Sequence, residues 1–168
     1  MKNTIKSILI ALLISSAFNV NAQKLGHVDM QQISLDLPAY SEAEAELQSM
    51  TETAQKEIQQ YEKLTNEEIE KYKNEMQNLS EDARSRREAF LMERQQNIQK
   101  KEYEWQQKIQ TTQQQLMSNI QTIVIEASKA VAKEEGYLYV FEKGSLLHAG
   151  GDDITSKVRK KLGISTSN

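Results

Sequence analysis

The chain of 168 residues has no cysteine, one proline and one tryptophan. Without cysteine, no disulfide holds the fold, so packing or self-association must do so. The proline, Pro38, and all six glycines lie outside residues 39–135, a span made mainly of good helix formers. The sequence therefore predicts long helices through the middle of the chain.

Long hydrophobic runs are also scarce, and the one at the N-terminus is short. Lys2 and Lys6 precede an apolar run from Ile8 to Phe18, and Val20 and Ala22 have the spacing that a signal peptidase accepts. The run is shorter than the ~20 residues of a membrane-spanning helix. We expect residues 1–22 to be a signal peptide, cleaved after Ala22, and the mature chain to be exported.

The expected mature chain is acidic. Removing Lys2 and Lys6 from the 21 basic residues leaves 19 against 24 acidic residues, a formal charge of −5. Such a balance argues against sequence-independent binding to nucleic acid, which needs a basic surface.

Apolar residues recur every eleven positions in two segments of the helical span. Eleven residues make three turns at ~3.67 residues per turn, so each stripe stays on one face of a nearly straight helix. Each stripe is narrow, and therefore each helix needs a partner. The first segment has three such series, which are Leu47, Ile58 and Ile69, then Met50, Tyr61 and Tyr72, then Ala54, Thr65 and Met76. The second segment has Ile98, Ile109, Ile120 and Val131 beside Trp105, Leu116 and Ala127.

The two registers do not join, which indicates an interruption between them. We place it at Asn78–Asp82, where Ser80 can cap a new helix and the acids that follow it lie at the positive helix end. Thr65–Asn66 is a weaker alternative. The interpretation is an antiparallel helical hairpin over residues 41–119, with its tip near 78–82 and an acidic first arm.

Short β-like runs flank the predicted hairpin. They are Lys24–Asp29, Tyr137–Glu142 and, after a turn at Lys143–Gly144, Ser145–Ala149. Residues 150–153 read as a loop, and Thr155 as the N-cap of a last helix that ends near Leu162. Residues 23–40 and 120–168 together bury too little surface to stand alone, so we expect them to self-associate. The fold class is α+β, mainly α.

The sequence offers no catalytic set. His27 and His148 lack metal-ligand spacing, and we interpret them as ordinary sheet histidines. Neighbouring acids on a solvated helix lack the burial that separates pKa values. Gly150–Gly151 lacks the pattern of a phosphate-binding loop. We therefore expect no enzyme, no catalytic residue, no cofactor and no metal.

Two surface features are candidates for binding. The run Ala89–Phe90–Leu91–Met92 has more apolar residues than one stripe can take, and other apolar residues also lie off the stripe. Met is an adaptable contact for irregular partners. The candidates for contact with a bound protein are Phe90, Met92, Tyr103 and Met117.

Arg84, Arg86 and Arg87 form a basic cluster just past the predicted tip. This cluster is a candidate patch for an anionic partner such as a lipid head group. The alternative is a solvated helix face that offsets the acidic first arm.

Taken as a whole, the chain after residue 22 resembles the Skp/OmpH family of periplasmic chaperones. The resemblance covers the N-terminal strand Lys24–Asp29, an extended segment through Leu37–Tyr40, the Glu/Gln/Lys-rich hairpin and the closing block EEGYLYVFEKGSLLHAGGDDITSKV. Within that block, Gly136–Val140 matches the closing strand of the family, and Asp153–Thr155 followed by Val158 matches its final helix.

The resemblance implies a homotrimer with a small shared β body and three helical arms around a cavity. It implies a periplasmic holdase that binds unfolded outer-membrane β-barrel proteins without ATP. The first arm departs from the better-known members, whose arms are basic, so no lipopolysaccharide site is carried over. A structural coiled-coil envelope protein and a lipid-head-group binder, in peripheral contact with the membrane or lipopolysaccharide, are the alternatives.

Overall fold

The structure, a computed structural model, describes residues 23–164. The signal peptide and cleavage site expected at residues 1–22 lie outside this range. In the described range the elements are β1 (Leu25–Val28), α1 (Met30–Asp36), α2 (Pro38–Glu75), α3 (Glu81–Glu135), β2 (Tyr139–Glu142), β3 (Asp152–Asp153) and α4 (Thr155–Lys161). The chain is thus mainly helical with a small three-stranded sheet, as the sequence predicts.

Two compact units divide the chain. The hairpin unit runs from Gln31 to Ile125, and, of the described residues, 23–30 and 126–164 form the sheet unit. Helix α3 contributes to both units. No helix among residues 23–164 is long and apolar enough to cross a membrane.

The first long helix, α2, begins where the sequence changes its backbone preference. Leu37 is extended, at φ −73° and ψ 134°, because the ring of the following Pro38 disfavours helical geometry in the residue before it. The expectation of an extended segment through Tyr40 is therefore wrong after Leu37, because Pro38 occupies the first helical turn, where no N–H donor is needed. The 38 residues of α2 give a helix about 57 Å long at ~1.5 Å per residue.

The helical span is interrupted at the predicted place. A 3₁₀ turn at Met76–Asn78 follows α2, and Leu79 is extended. Ser80 Oγ accepts the Ala83 N–H at 3.3 Å, and its carbonyl accepts the Arg84 N–H at 2.9 Å. Ser80 therefore caps α3, as the sequence predicts, and the chain reverses at this turn.

The two helices of the hairpin unit are antiparallel. Hydrogen-bonded partners across the hairpin are 48 residues apart at Trp105 and Glu57, and 19 apart at Arg87 and Glu68. This separation shrinks toward Ser80, which an antiparallel pair requires.

The eleven-residue register appears in the burial of α2. Ala43, Ala54 and Thr65 are spaced by eleven and are 2%, 6% and 3% exposed. In α3, Ile120 and Val131 are buried, and Trp105, Ile109 and Leu116 are half-buried. Most of the stripe predicted from the sequence is thus the face on which the helices pack, but its members Tyr61 and Met76 are 37% and 39% exposed.

In the sheet unit, the strand order is β2-β1-β3, and both pairings of β1 are parallel. Leu25 pairs with Tyr139, and His27 pairs with Phe141 on one side and Asp153 on the other. Parallel strands need a long crossover, and the long helices between β1 and β2 supply it in sequence.

Two expectations for this unit are wrong. Residues 145–149 form no strand; a 3₁₀ turn at Lys143–Ser145 ends β2, and the third strand is Asp152–Asp153, which we predicted as loop. Thr155 is also not the N-cap of α4: it is the first helical residue, and Ile154 precedes it. Asp153 Oδ1 accepts the Thr155 N–H at 2.9 Å, and Thr155 Oγ1 accepts the Asp29 N–H at 2.9 Å.

Two positions of the sheet unit favour glycine, one because of its backbone angle and the other because of a close neighbour. Gly136 ends α3 with φ +74°, which a residue with a Cβ adopts only with strain, and the next N–H, of Tyr137, bonds to Ala132 O at 2.9 Å. A Cβ on Gly26 would lie 3.1 Å from the Tyr137 ring. Tyr137 is buried there with Ile154 and Val158, which form the core of this small unit.

Candidate functional site

Polar side chains link α2 and α3 along the hairpin. Trp105 Nε1 donates to Glu57 Oε2 at 2.8 Å, and Lys101 Nζ lies 3.4 Å from Glu57 Oε1. Nearer the tip, Arg87 donates to Glu68 at 2.8 Å. The acidic first arm thus receives its partners from the more basic second arm.

The pKa of Glu68 is held below its usual range. The hydrogen bond from Lys71 contributes most, burial opposes it, and the charges of Lys71, Arg87 and Arg94 lower the pKa further. Glu68 is therefore a carboxylate near neutral pH, which its bond to the Arg87 guanidinium requires.

A buried hydroxyl also belongs to this network. Thr65 Oγ1 donates to the Tyr61 carbonyl at 2.8 Å and accepts from Arg94 Nε at 3.4 Å. The eleven-residue spacing predicts Thr65 on the apolar stripe, but it does not indicate that the hydroxyl links the two helices. The signal in the sequence that could have indicated this role is a threonine at a position of the series where the other residues are apolar.

Three of the four predicted protein-contact residues are exposed on α3. Met92 is 62% exposed, Tyr103 64% and Phe90 40%, whereas Met117 is half-buried. Leu91 is 8% exposed, so of the apolar run at residues 89–92 it is the member that packs inside. The structure does not gather the four candidates into one patch.

Phe90 lies between two cations of its own helix. The guanidinium carbons of Arg87 and Arg94 are 5.9 Å and 5.6 Å from its ring centroid. Such cation-π contacts help to hold an exposed ring in place.

The three arginines past the tip also divide among different partners. Arg87 faces the first arm through Glu68, and Arg86 pairs with Asp82 of its own helix at 2.7 Å. The Nε of Arg84 is buried without a hydrogen-bond partner among the described residues. Two of the three arginines in the candidate patch for an anionic partner are therefore already paired with acids of the hairpin unit.

The two histidines lie in the sheet unit, where His27 is buried and His148 lies outside the strands. Both line a groove of about 670 Å³, and His27 Nε2 is 3.5 Å from Asp153 Oδ2. Burial opposes the ionisation of Asp153, but hydrogen bonds from Thr155 and the nearby His27 and Lys143 outweigh it, so its pKa lies below the usual range. Among residues 23–164, no group of three or more His, Asp or Glu could hold a metal ion.

The sheet unit also exposes large apolar side chains. Tyr139 and Phe141 of the outer strand β2 point to the same face, with ring centroids 6.1 Å apart, and are 56% and 44% exposed. Leu138 is 54% exposed, and Leu147 has no burial at all. An outer strand with exposed apolar residues is a surface that proteins normally cover.

The elements define a class of protein that combines a long helical hairpin with a small parallel sheet. The chain belongs to the OmpH-like family of outer membrane proteins, whose family model matches residues 24–162. No curated protein matches its sequence.

The fold also resembles solved structures. One is the crystal structure of a candidate outer membrane chaperone (OmpH-like) from Caulobacter crescentus CB15. The two are 15% identical, the match covers 83% of this chain and 82% of the other, and the TM-score is 0.70. At this identity the likeness concerns the fold.

Proposed function

We propose that the protein is an ATP-independent periplasmic holdase, which binds unfolded outer-membrane β-barrel proteins and prevents their aggregation. Membership of the OmpH-like family supports a chaperone role. The main support for the proposal is that the long polar helices of the hairpin unit expose separate apolar side chains such as Met92 and Tyr103. Dispersed contacts of this kind hold a client weakly at many points and do not select one sequence.

The active form in this proposal is a homotrimer assembled through residues 23–40 and 120–168. The support is the exposed apolar surface around β2, where Tyr139, Phe141 and Leu147 lack cover in the single chain. Neither ATP nor another cofactor takes part, and neither nucleic acid nor catalysis is involved.

The test mixes purified mature protein with a urea-unfolded outer-membrane barrel, dilutes the urea, and measures turbidity and the mass of the complex. We expect soluble complexes that contain three copies of the protein and one client. Unchanged turbidity, or a protein that is monomeric at micromolar concentration, would contradict the proposal. Tight binding to one folded partner without this protection would favour a structural envelope protein.

The contact residues have their own test. Replacing Met92 and Tyr103 with Ser removes two exposed apolar side chains, and we expect client release to become faster. Gln95→Ser with Gln99→Ser changes two exposed polar side chains of the same helix and serves as the matched control variant. If the two variants release client equally fast, these α3 residues are not client contacts.

Binding of lipid head groups is disfavoured by the ion pair between Arg87 and Glu68. Replacing Arg84, Arg86 and Arg87 with Ser separates the two functions. A holdase loses little of its protection of the barrel, whereas a lipid binder no longer pellets with anionic vesicles.

A further inference from the structure

A groove of about 510 Å³ lies between α2 and α3 in the hairpin unit. Ala54, Ile58, Trp105 and Ile109 line it, and the other lining residues are Thr51, Glu102 and four glutamines. The four apolar residues are buried or half-buried, while the glutamines are exposed. The groove therefore has an apolar floor and an amide rim.

This groove is nearly free of charge on a highly charged arm. Glu102 is the one charged residue that lines it. The ion pairs across the hairpin, Lys101 with Glu57 and Arg87 with Glu68, use other residues. In the described part of the chain, none of the groove residues forms an ion pair.

Trp105 is fixed in this groove by its polar edge. Its only donor, Nε1–H, is used by Glu57 at 2.8 Å, and Lys108 Nζ lies 4.8 Å from its ring centroid. With the donor occupied, the indole offers a bound molecule apolar surface only. A side chain held in this way loses little conformational freedom on binding.

We propose that the groove binds an extended, uncharged segment of an unfolded polypeptide. An aliphatic or aromatic side chain of the segment lies on the apolar floor, and its backbone amides meet the glutamines of the rim. The inference rests on the proposed function and names the class of client segment that the hairpin unit accepts.

The glutamines of the rim are the reason to expect an extended segment as the ligand. Each glutamine side chain both donates and accepts hydrogen bonds, as a backbone amide does. An extended segment that leaves water must satisfy its N–H and C=O groups, whereas a helix has already paired its own. The glutamines therefore fit an unfolded strand better than the helical arm of a second copy.

Because the groove has few charged residues, it binds charged segments of a polypeptide less well than uncharged ones. A charged side chain that entered the groove would lose part of its hydration, and the counter-ions near the groove are Glu102 for a cation and Lys108, beside Trp105, for an anion. A segment with several charges would exceed what these two residues can pair. Because all polypeptides share the same backbone, the rim discriminates by charge and extension and not by sequence.

The chain carries its own reporter for this site, because Trp105 is its only tryptophan. The probe is a tryptophan-free peptide of alternating valine and serine, titrated into the full mature protein. We expect Trp105 emission to shift to shorter wavelength as the peptide covers the indole. A peptide of the same length with glutamate in place of serine should bind at least about tenfold more weakly.

The variants Gln55→Glu and Gln113→Glu place charge on the rim and remove amide donors, so the double variant should raise the Kd of the neutral peptide about fivefold. Gln60→Glu and Gln96→Glu make the same changes at exposed positions of the same helices outside the groove, and that pair should leave the Kd unchanged. Circular dichroism verifies that both pairs retain the helical fold.

Three results would overturn this inference. The first is that the protein suppresses barrel aggregation, but Trp105 emission does not change and the two pairs of variants bind the neutral peptide with the same Kd. That result would reject the groove and leave the proposed function intact. The second is equal binding of the charged peptide. The third is an emission shift that depends on protein concentration alone, which would place a second copy in the groove. Failure to suppress aggregation would instead reject the proposed function itself.

Discussion

The indole of Trp105 donates a hydrogen bond to the carboxylate of Glu57 at 2.8 Å and so joins the two long helices of the hairpin unit. Lys101 lies 3.4 Å from the same carboxylate, so Glu57 has two partners on the opposite helix. This arrangement fixes which part of α3 lies beside which part of α2, a specification that a continuous apolar stripe supplies only weakly.

Replacing Glu57 with Ala should destabilise the hairpin unit and alter Trp105 emission. Loss of one hydrogen bond of this kind costs about 0.5–1.5 kcal/mol. Glu57→Gln keeps an acceptor oxygen for the indole but loses the charge that faces Lys101, so we expect a smaller effect. Thermal unfolding followed by Trp105 fluorescence measures both. Equal melting temperatures for Glu57→Ala and the parent would contradict a role for this bond.

Acid should weaken the hairpin unit through Glu68. The folded pKa of Glu68 is lowered, first by the hydrogen bond from Lys71, whereas the unfolded chain has the ordinary value of about 4.3. The stability that this carboxylate contributes is complete above the ordinary pKa and is lost as the pH falls through the lower folded pKa. Urea unfolding at a series of pH values measures the loss.

The control for this prediction is Glu68→Gln, which cannot ionise. We expect the variant to be less stable than the parent at neutral pH and to lose less stability between neutral pH and about pH 3. Parallel stability curves for the two proteins would show that other carboxylates dominate the acid response.

Removing the cap of α3 should destabilise the turn of the hairpin. Ser80→Ala deletes the acceptor for the Ala83 N–H, and caps of this kind contribute about 0.5–2 kcal/mol. The 3.3 Å distance indicates the lower part of that range. Ser85→Ala, inside the same helix, should instead be neutral or slightly stabilising, since Ala is the better helix former. Urea unfolding distinguishes the two variants by the sign of the change.

The short helix α1 provides a paired test of burial. Ile33 is 0% exposed and Leu35 is 54% exposed. Ile33→Ala leaves a cavity and should cost about 2–5 kcal/mol, whereas Leu35→Ala should cost less than about 1 kcal/mol. Similar melting temperatures for the two variants would contradict the burial of Ile33.

The helical hairpin is visible in the sequence because its signals are local and repeated. The eleven-residue spacing of Ala54 and Thr65 indicates the packed face, and Ser80 followed by two acids indicates the start of α3. The spacing does not predict the polar contacts that the residues beside the stripe make. A period identifies the face of a helix, but it does not show that Trp105 bonds to Glu57 or that a groove opens beside it.

The sheet is less visible because its pairings are long-range. Leu146 and Leu147 lie in a run typical of a strand, yet the third strand is Asp152–Asp153, two acids that local propensity assigns to a loop. Pairing with β1 decides the outcome, since Gly26 faces Asp152 and His27 faces Asp153. Such tertiary contacts override local preference, and no short window of the sequence contains both partners.

The parallel pairing of β1 has a consequence for the order in which the molecule is completed. The ribosome makes β1 first, and β2 and β3 follow only after the whole of α3. The helices need only local contacts to form, whereas the sheet must wait for a large loop to close. A copy that stops before Tyr139 leaves β1 without either neighbour, so only full-length copies can build the surface through which we propose that they assemble.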